Sequence, residues 1–364
     1  MNESAGTLGA IRKFTSIRGM GQVISVTVAL IIMVTAFGII NPNFFSSENV
    51  MNLLRQISPI LIIGIGQSCV LITAGIDLSI GSVAGMSCML SALLMTTLGR
   101  MHPVAAVLLT VLSCVLIGAL NGFLVAKTKL PPFIATLGTM IIARGIAQLN
   151  GRNTDSILML DDPNNPTYEA FRQCFYYGKF LGLFAPTWIA LILFLIFAFL
   201  LSKTRTGRHT YAIGSNYEAA KLSGVRVVLA ETKVYVASAF LSSVVGLILM
   251  AQSGMGTMDA GNMYELNAVA ASVIGGVSTM GGQGLLFGTV IGAAIWGVLN
   301  NGLQFAGAPL ALRNIVIGVV VIISVLIDRI ARGNKIGIGD MIFGTNRKTS
   351  KTPPNGNGDG NGVS

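Results

Sequence analysis

The sequence predicts an all-α, multi-pass membrane protein with about ten transmembrane helices, some of them broken or re-entrant. Three observations carry that prediction. Hydrophobic residues make up 52% of the 364, only 10% are charged, and the mean hydropathy is +0.73. Ordinary soluble domains carry roughly 25% charged residues. The apolar residues fall in blocks at about 20–40, 57–74, 79–98, 103–126, 131–150, 184–201, 230–252, 266–281, 284–304 and 312–331, most of them near the ~20 residues that cross a bilayer. Lysine and arginine collect between alternate blocks, as the positive-inside rule requires.

The first block follows Arg12, Lys13 and Arg18, a pattern shared with secretory signals. Its length, and the Asn-Pro-Asn-Phe-Phe that follows at 41–45, predict an uncleaved first span. Residues 1–19 are then a cytoplasmic tail. A transmembrane domain runs over 20–332, and 333–364, ending in TPPNGNGDGNGVS, reads as a disordered cytoplasmic tail. Lys127 and Lys129 join blocks four and five. Lys203, Arg205, Arg208, Lys221, Arg226 and Lys233 join blocks six and seven. Both connections therefore belong inside, which accounts for the net charge of +10 without a nucleic-acid partner.

The longest outside loop, 151–186, carries Asp155, Asp161, Asp162 and Glu169. Within it Tyr168 to Gly182 predicts a short interfacial helix with Tyr176 and Tyr177 at headgroup level. The eighth block, Leu266 to Met280, is short and rich in Gly, Ala and Ser, so it is re-entrant or broken. A weak internal echo links Ala74–Gly85 with Gly275–Gly288, both glycine-rich breaks followed by small residues four apart.

The polar stretch Thr204 to Arg226 organises the middle of the chain. Asn216 is a good N-cap, Glu218 sits in a first turn and Lys221 in a last turn, where the helix dipole favours each charge. Gly224 fits the left-handed position beyond the end. Tyr217 to Ser223 thus predicts a short capped helix, too short to be stable alone. By itself it is either a surface connector or a docking element within the loop 203–229.

Catalytic motifs are missing. His102 and His209 are the two histidines, and no G-x-S-x-G or G-x-x-x-x-G-K-[ST] occurs, so no catalytic, metal or cofactor site is expected. Cys69, Cys88, Cys114 and Cys174 form no C-x-x-C. Glycines four apart, at 81 and 85, 118 and 122, and 284, 288 and 292, predict close helix packing. Asp77 and Arg144 are the ionisable residues at membrane depth. Asp77 either caps the following helix through Ser79 or Ile80, or lines a path. Arg144 is near enough to an outer end to snorkel. One acid and one base are poor ion-coupling machinery.

Five stretches in collinear order, AGIDLSIGS (74–82), LPPFIATLGTMIIARG (130–145), TRTGRHTYAIGSNYEAAKLSGVRV (204–227), YELNAVAASVIGGVSTMGGQG (264–284) and GTVIGAAIWGVLNNGL (288–303), resemble the ribose/galactose/xylose-type permease subunits of bacterial ATP-binding cassette (ABC) importers. The resemblance covers about residues 20–330. It implies a homodimer in the bacterial inner membrane, with both termini cytoplasmic. It also implies a periplasmic sugar-binding protein and a cytoplasmic two-cassette ATPase as partners. The capped helix becomes the coupling helix, with Asn216, Glu218, Ala219, Ala220, Lys221, Ser223 and Gly224 as its residues. Asp77, Ser79, Arg144 and Asn267 are path candidates, and Asp259 and Glu265 are candidates for docking the binding protein. A branched-chain amino acid permease and a stand-alone secondary carrier are the alternatives.

Overall fold

The structure, a computed structural model, describes residues 20–96, 101–150, 156–158 and 166–331. Every apolar block becomes a helix: α1 Met20–Ile40, α2 Ser47–Ile72, α3 Ile80–Thr96, α4 Pro103–Ala126 and α5 Pro132–Asn150. After α6, Pro166–Arg172, come α7 Ala185–Lys203, α8 Arg205–Ser215, α9 Tyr217–Leu222, α10 Val227–Ser253, α11 Tyr264–Ile274, α12 Leu286–Phe305 and α13 Leu310–Ala331. Among the described residues seven helices are long and apolar enough to cross a membrane, and α3 and the start of α13 are shorter apolar helices. At 11 residues α11 extends only about 16 Å, half of a ~30 Å hydrocarbon core. The eighth block is therefore a half-helix.

The connections alternate between two faces. On one, Lys129 Nζ donates to the Tyr217 hydroxyl, and Gly282 N donates to the Ile72 carbonyl at 2.8 Å. This basic face carries Lys127, Lys129 and the cations of 203–226. On the opposite face Phe44 packs edge-on to Phe305 at 6.1 Å, and Asn49 and Asn301 exchange hydrogen bonds of 3.1 Å. The described residues of the 151–186 loop lie on that face too. Its strand β1, Ser156–Leu158, pairs antiparallel with β4, Met255–Thr257, and a small hairpin joins β2, Lys179–Phe180, to β3, Leu183–Phe184.

The predicted interfacial helix is a correction. Residues 166–172 are α-helical, 173–177 form a π turn, and the hairpin follows. Its tyrosines pack on helix ends. Tyr168 is buried and donates to Met95 O, Arg55 stacks 4.7 Å from the buried Tyr176 ring, and Tyr177 donates to Gln252 O at 3.0 Å. Asp155, Asp161, Asp162 and the 1–19 and 333–364 tails lie outside the described residues.

Helices α2 and α10 form the buried centre, with Ile62, Ile63, Ile65, Tyr235, Leu241 and Val245 fully enclosed. Each packs against the opposite half of the chain. Helix α10 lies on α3 and α4, and α2 lies on α11 and α12; α3 is flanked by α4 and α5 as α11 is by α12 and α13. The two four-helix units run in opposite directions, an inverted repeat of the kind common in transporters. Gly118 and Gly122 sit directly against α10 backbone, so the close approach that small residues allow in lipid sets this contact. The echo noticed in sequence pairs the wrong segments, since α3 matches α11, not α12. The two glycine-rich breaks instead touch each other, with Gly281 against Ala74.

Candidate functional site

Three polar clusters follow from this packing. The first lies at the α2–α3 break, 73–79. Asp77 is buried; its Oδ1 accepts from Ser79 N at 3.0 Å and Ser79 Oγ at 2.6 Å, and its Oδ2 accepts from Ser238 Oγ of α10 at 2.9 Å. Asn121 Nδ2 of α4 donates to Ser79 Oγ at 2.9 Å, and Thr139 Oγ1 of α5 donates to Asn121 Oδ1 at 2.6 Å. Asp77 caps α3 through Ser79, one of the two amides expected, and the network ties four helices together. Asn121 is five residues from the end of α4, so the knot is roughly 8 Å inside the basic face. The second repeat holds a smaller counterpart, in which Ser68 of α2, Ser272 of α11 and Thr289 of α12 bond at 2.9 and 2.7 Å.

The second cluster lies nearer the opposite face. After β4 the chain turns back into the protein. Gly256 abuts Cys88 and Ala92 of α3, whereas Gly261 abuts Gly81 and Ala84. The return covers about eight residues of α3, or about 12 Å, and α11 starts where it ends. Non-helical backbone at this depth is covered by protein on its α3 side. Arg144 donates to Met258 O, and to Ala260 O at 3.2 Å, and it interacts electrostatically with Glu265 and Asp259. The carboxylate of Glu265 lies against Gly81, where any Cβ would overlap it. Arg144 therefore does not snorkel outward: the re-entrant loop offers carbonyls that lipid cannot. It groups with Glu265 and Asp259 rather than with Asp77. Asn267 accepts from Trp296 Nε1 at 3.1 Å, a tie between α11 and α12.

The third cluster is the polar stretch on the basic face. Asn216 Oδ1 accepts from Ala219 N at 2.9 Å, and Gly224 has φ +82°. Helix α9 is capped as its sequence requires. Ahead of it, α8 was not foreseen. Thr204 caps it by accepting from Gly207 N at 3.4 Å, and its buried Gly207, Thr210 and Ile213 face the protein. Tyr211 of α8 donates to Gly284 O at 2.7 Å, and burial pushes its phenol up to about 12, so the proton for that bond is held at neutral pH. Gly214 packs directly on Ile72 O and Gly282 N, where a Cβ would overlap both. Through these contacts α8 touches the end of α2, where the 73–79 break begins, and the 275–285 break at once.

Within α9 the two alanines face different ways. Ala220 is 5% exposed and packs with Ile213, Val227 and Ala230, so it holds α9 onto the protein. Ala219, Glu218, Lys221, Ser223 and Gly224 are exposed, and Leu222 is 87% exposed. Leu222 is the residue that reading the island as polar overlooked.

Comparison with known proteins agrees with this architecture. The family described as the branched-chain amino acid transport system permease component matches residues 49–325. The ribose import permease protein of Bacillus subtilis is 38% identical over 311 residues, covering 85% of this chain and 94% of that protein. The D-allose transport system permease protein of Escherichia coli is 35% identical over 83% of this chain and 90% of its own length. The galactose/methyl galactoside import permease protein of Salmonella typhimurium is 35% identical over 85% and 94%. No solved structure matches.

Proposed function

This chain belongs to the branched-chain amino acid transport system permease family, and from that premise we propose that it is the membrane-spanning subunit of an ATP-driven monosaccharide importer. The observation that carries the reading is the extent of the likeness. Ribose, allose and galactose permeases each align along nine-tenths or more of their length. The ATPase and a substrate-binding protein are separate subunits of such importers. The basic face is taken as cytoplasmic because lysine and arginine favour that side, which puts the 254–263 loop and Asp259 toward the binding protein. The membrane is the bacterial inner membrane, and a second copy completes the path.

The mechanism follows from the α8 contacts. Leu222 and the exposed residues of α9 meet the ATPase. Movement of α9 carries α8, to which it is joined at Asn216. Helix α8 grips the end of α2, just before the first break, through Gly214 and the second break through Gly214 and Tyr211, and these breaks lead into α3 and α12. Two packings of these elements would open the path alternately, and ATP binding selects one by differential contact at α9. In this scheme the Asp77–Ser79 knot keeps the α3 end rigid. Arg144 and Glu265 line the path, while the exposed Asp259 docks the binding protein. Reconstitution of permease, ATPase and binding protein in proteoliposomes tests the function. Uptake of ribose, allose or galactose should require ATP and survive loss of ion gradients. Uptake by this chain alone on a proton or sodium gradient would overturn it.

A further inference from the structure

Behind α9 lies a groove of about 610 Å³, whose walls are the α4–α5 connection, α9 and the start of α10. Lys127, Lys129, Lys221 and Arg226 line it, with the hydroxyl-bearing Tyr217 and Thr232; the Thr232 hydroxyl donates to the Val228 carbonyl at 2.7 Å. Among the described residues no acid lines the groove. Glu231, buried one residue from Thr232, interacts with Lys129, which leaves an excess of positive charge. Lys129 also lies 3.8 Å above the Tyr217 ring, so the ring helps to hold its ammonium in the wall. The floor is apolar. Ala126 and Val227 are buried there, and Val228 and Leu229 continue outward at 42% and 49% exposure. Phe123, one turn back on α4, is 51% exposed.

We propose that this groove binds the phosphate headgroup of an anionic phospholipid, with an acyl chain running down the Val228, Leu229 and Phe123 side. Two features select a lipid over an acidic protein segment. The cations sit at the ends of two membrane-crossing helices, where headgroups lie, and the apolar floor is continuous with side chains that face hydrocarbon. Excess cations at that level attract anionic lipid. A headgroup there would bridge Lys127 of the α4–α5 connection and Arg226 beside α9, and so would set how firmly the coupling helix is held. The proposal rests on the membrane reading and not on which sugar is carried.

The test uses the full chain purified into nanodiscs of phosphatidylcholine with or without phosphatidylglycerol, and a variant with Lys127→Gln and Arg226→Gln. Native mass spectrometry of lipids retained after release should show preferential retention of phosphatidylglycerol. The variant should lose that preference by about thirtyfold, from roughly a fivefold loss per cation removed. Equal retention by wild type and variant, or no preference in wild type, overturns the proposal. Displacement of the lipid by millimolar inorganic phosphate would assign the groove to a free anion instead. Lost co-purification with the ATPase in lipid-free detergent, with lipid retention unchanged, would assign it to the protein partner.

Discussion

Leu222→Asp should separate the coupling helix from its ATPase while leaving the permease folded. Leu222 is 87% exposed at the last residue of α9, so the folded protein gains little from it. In the assembled importer the same side chain would be buried against the ATPase, and burying a leucine is worth about 1.5–3 kcal/mol. Leu222→Ala should then weaken association about tenfold, since 1.4 kcal/mol is tenfold. Leu222→Asp adds an unpaired charge at a desolvated contact, at about 3–5 kcal/mol, and should abolish co-purification. Ala220→Arg is the contrasting control. Ala220 packs on Ile213, Val227 and Ala230, so the larger side chain should unseat α9 and lower the thermal stability of the isolated permease, overpacking costing about 1–3 kcal/mol. The assays are thermal unfolding of each variant and pull-down with the ATPase. If Leu222→Asp co-purifies at wild-type yield with wild-type transport, Leu222 is not at the contact and the reasoning fails.

Other residues make separate predictions. Asp77→Asn retains capping and should cost less stability than Asp77→Leu, which strands the donors of Ser79 and Ser238; equal unfolding temperatures for the two would remove the knot from the account. Gly214→Val must displace α8 from Ile72 and Gly282, so it should lower ATPase-coupled transport at least tenfold while the ATPase still co-purifies, and normal transport would break the proposed link. Asp259→Lys should weaken crosslinking to the binding protein, whereas Glu265→Gln should leave crosslinking intact and slow transport. The reverse pattern would return Glu265 to docking.

Composition and periodicity made most of the fold legible. The ten apolar blocks correspond one to one with α1–α5, α7 and α10–α13, because a helix satisfies its own backbone in lipid and leaves a continuous apolar run as its signature. The shortness of the eighth block announced the half-helix α11. Helix α8 was hidden because Gly207 and Gly214 lower its intrinsic propensity; they are there for close packing that sequence alone does not display. The inward face of Ala220 did have a signal. Ile213, Ala220 and Val227 recur every seven residues across α8, α9 and α10, but the intervening turns disguise it. The return of 254–263 beside α3 leaves no periodic trace, since irregular backbone has none. The partners of Asp77 and Arg144 come from helices far along the chain, and only the fold brings them together.

In this mechanism α9, α8 and the two breaks move as one path from the ATPase into the membrane. It is tested most directly by thiol labelling at Ala74→Cys, an exposed break residue that meets Gly281, with Cys174 replaced by serine and the buried Cys69, Cys88 and Cys114 kept. In the complete importer the labelling rate by a water-soluble maleimide should change several-fold when ATP binds, and Gly214→Val should remove that change. An identical rate with and without ATP, in a complex that transports sugar, would contradict the account.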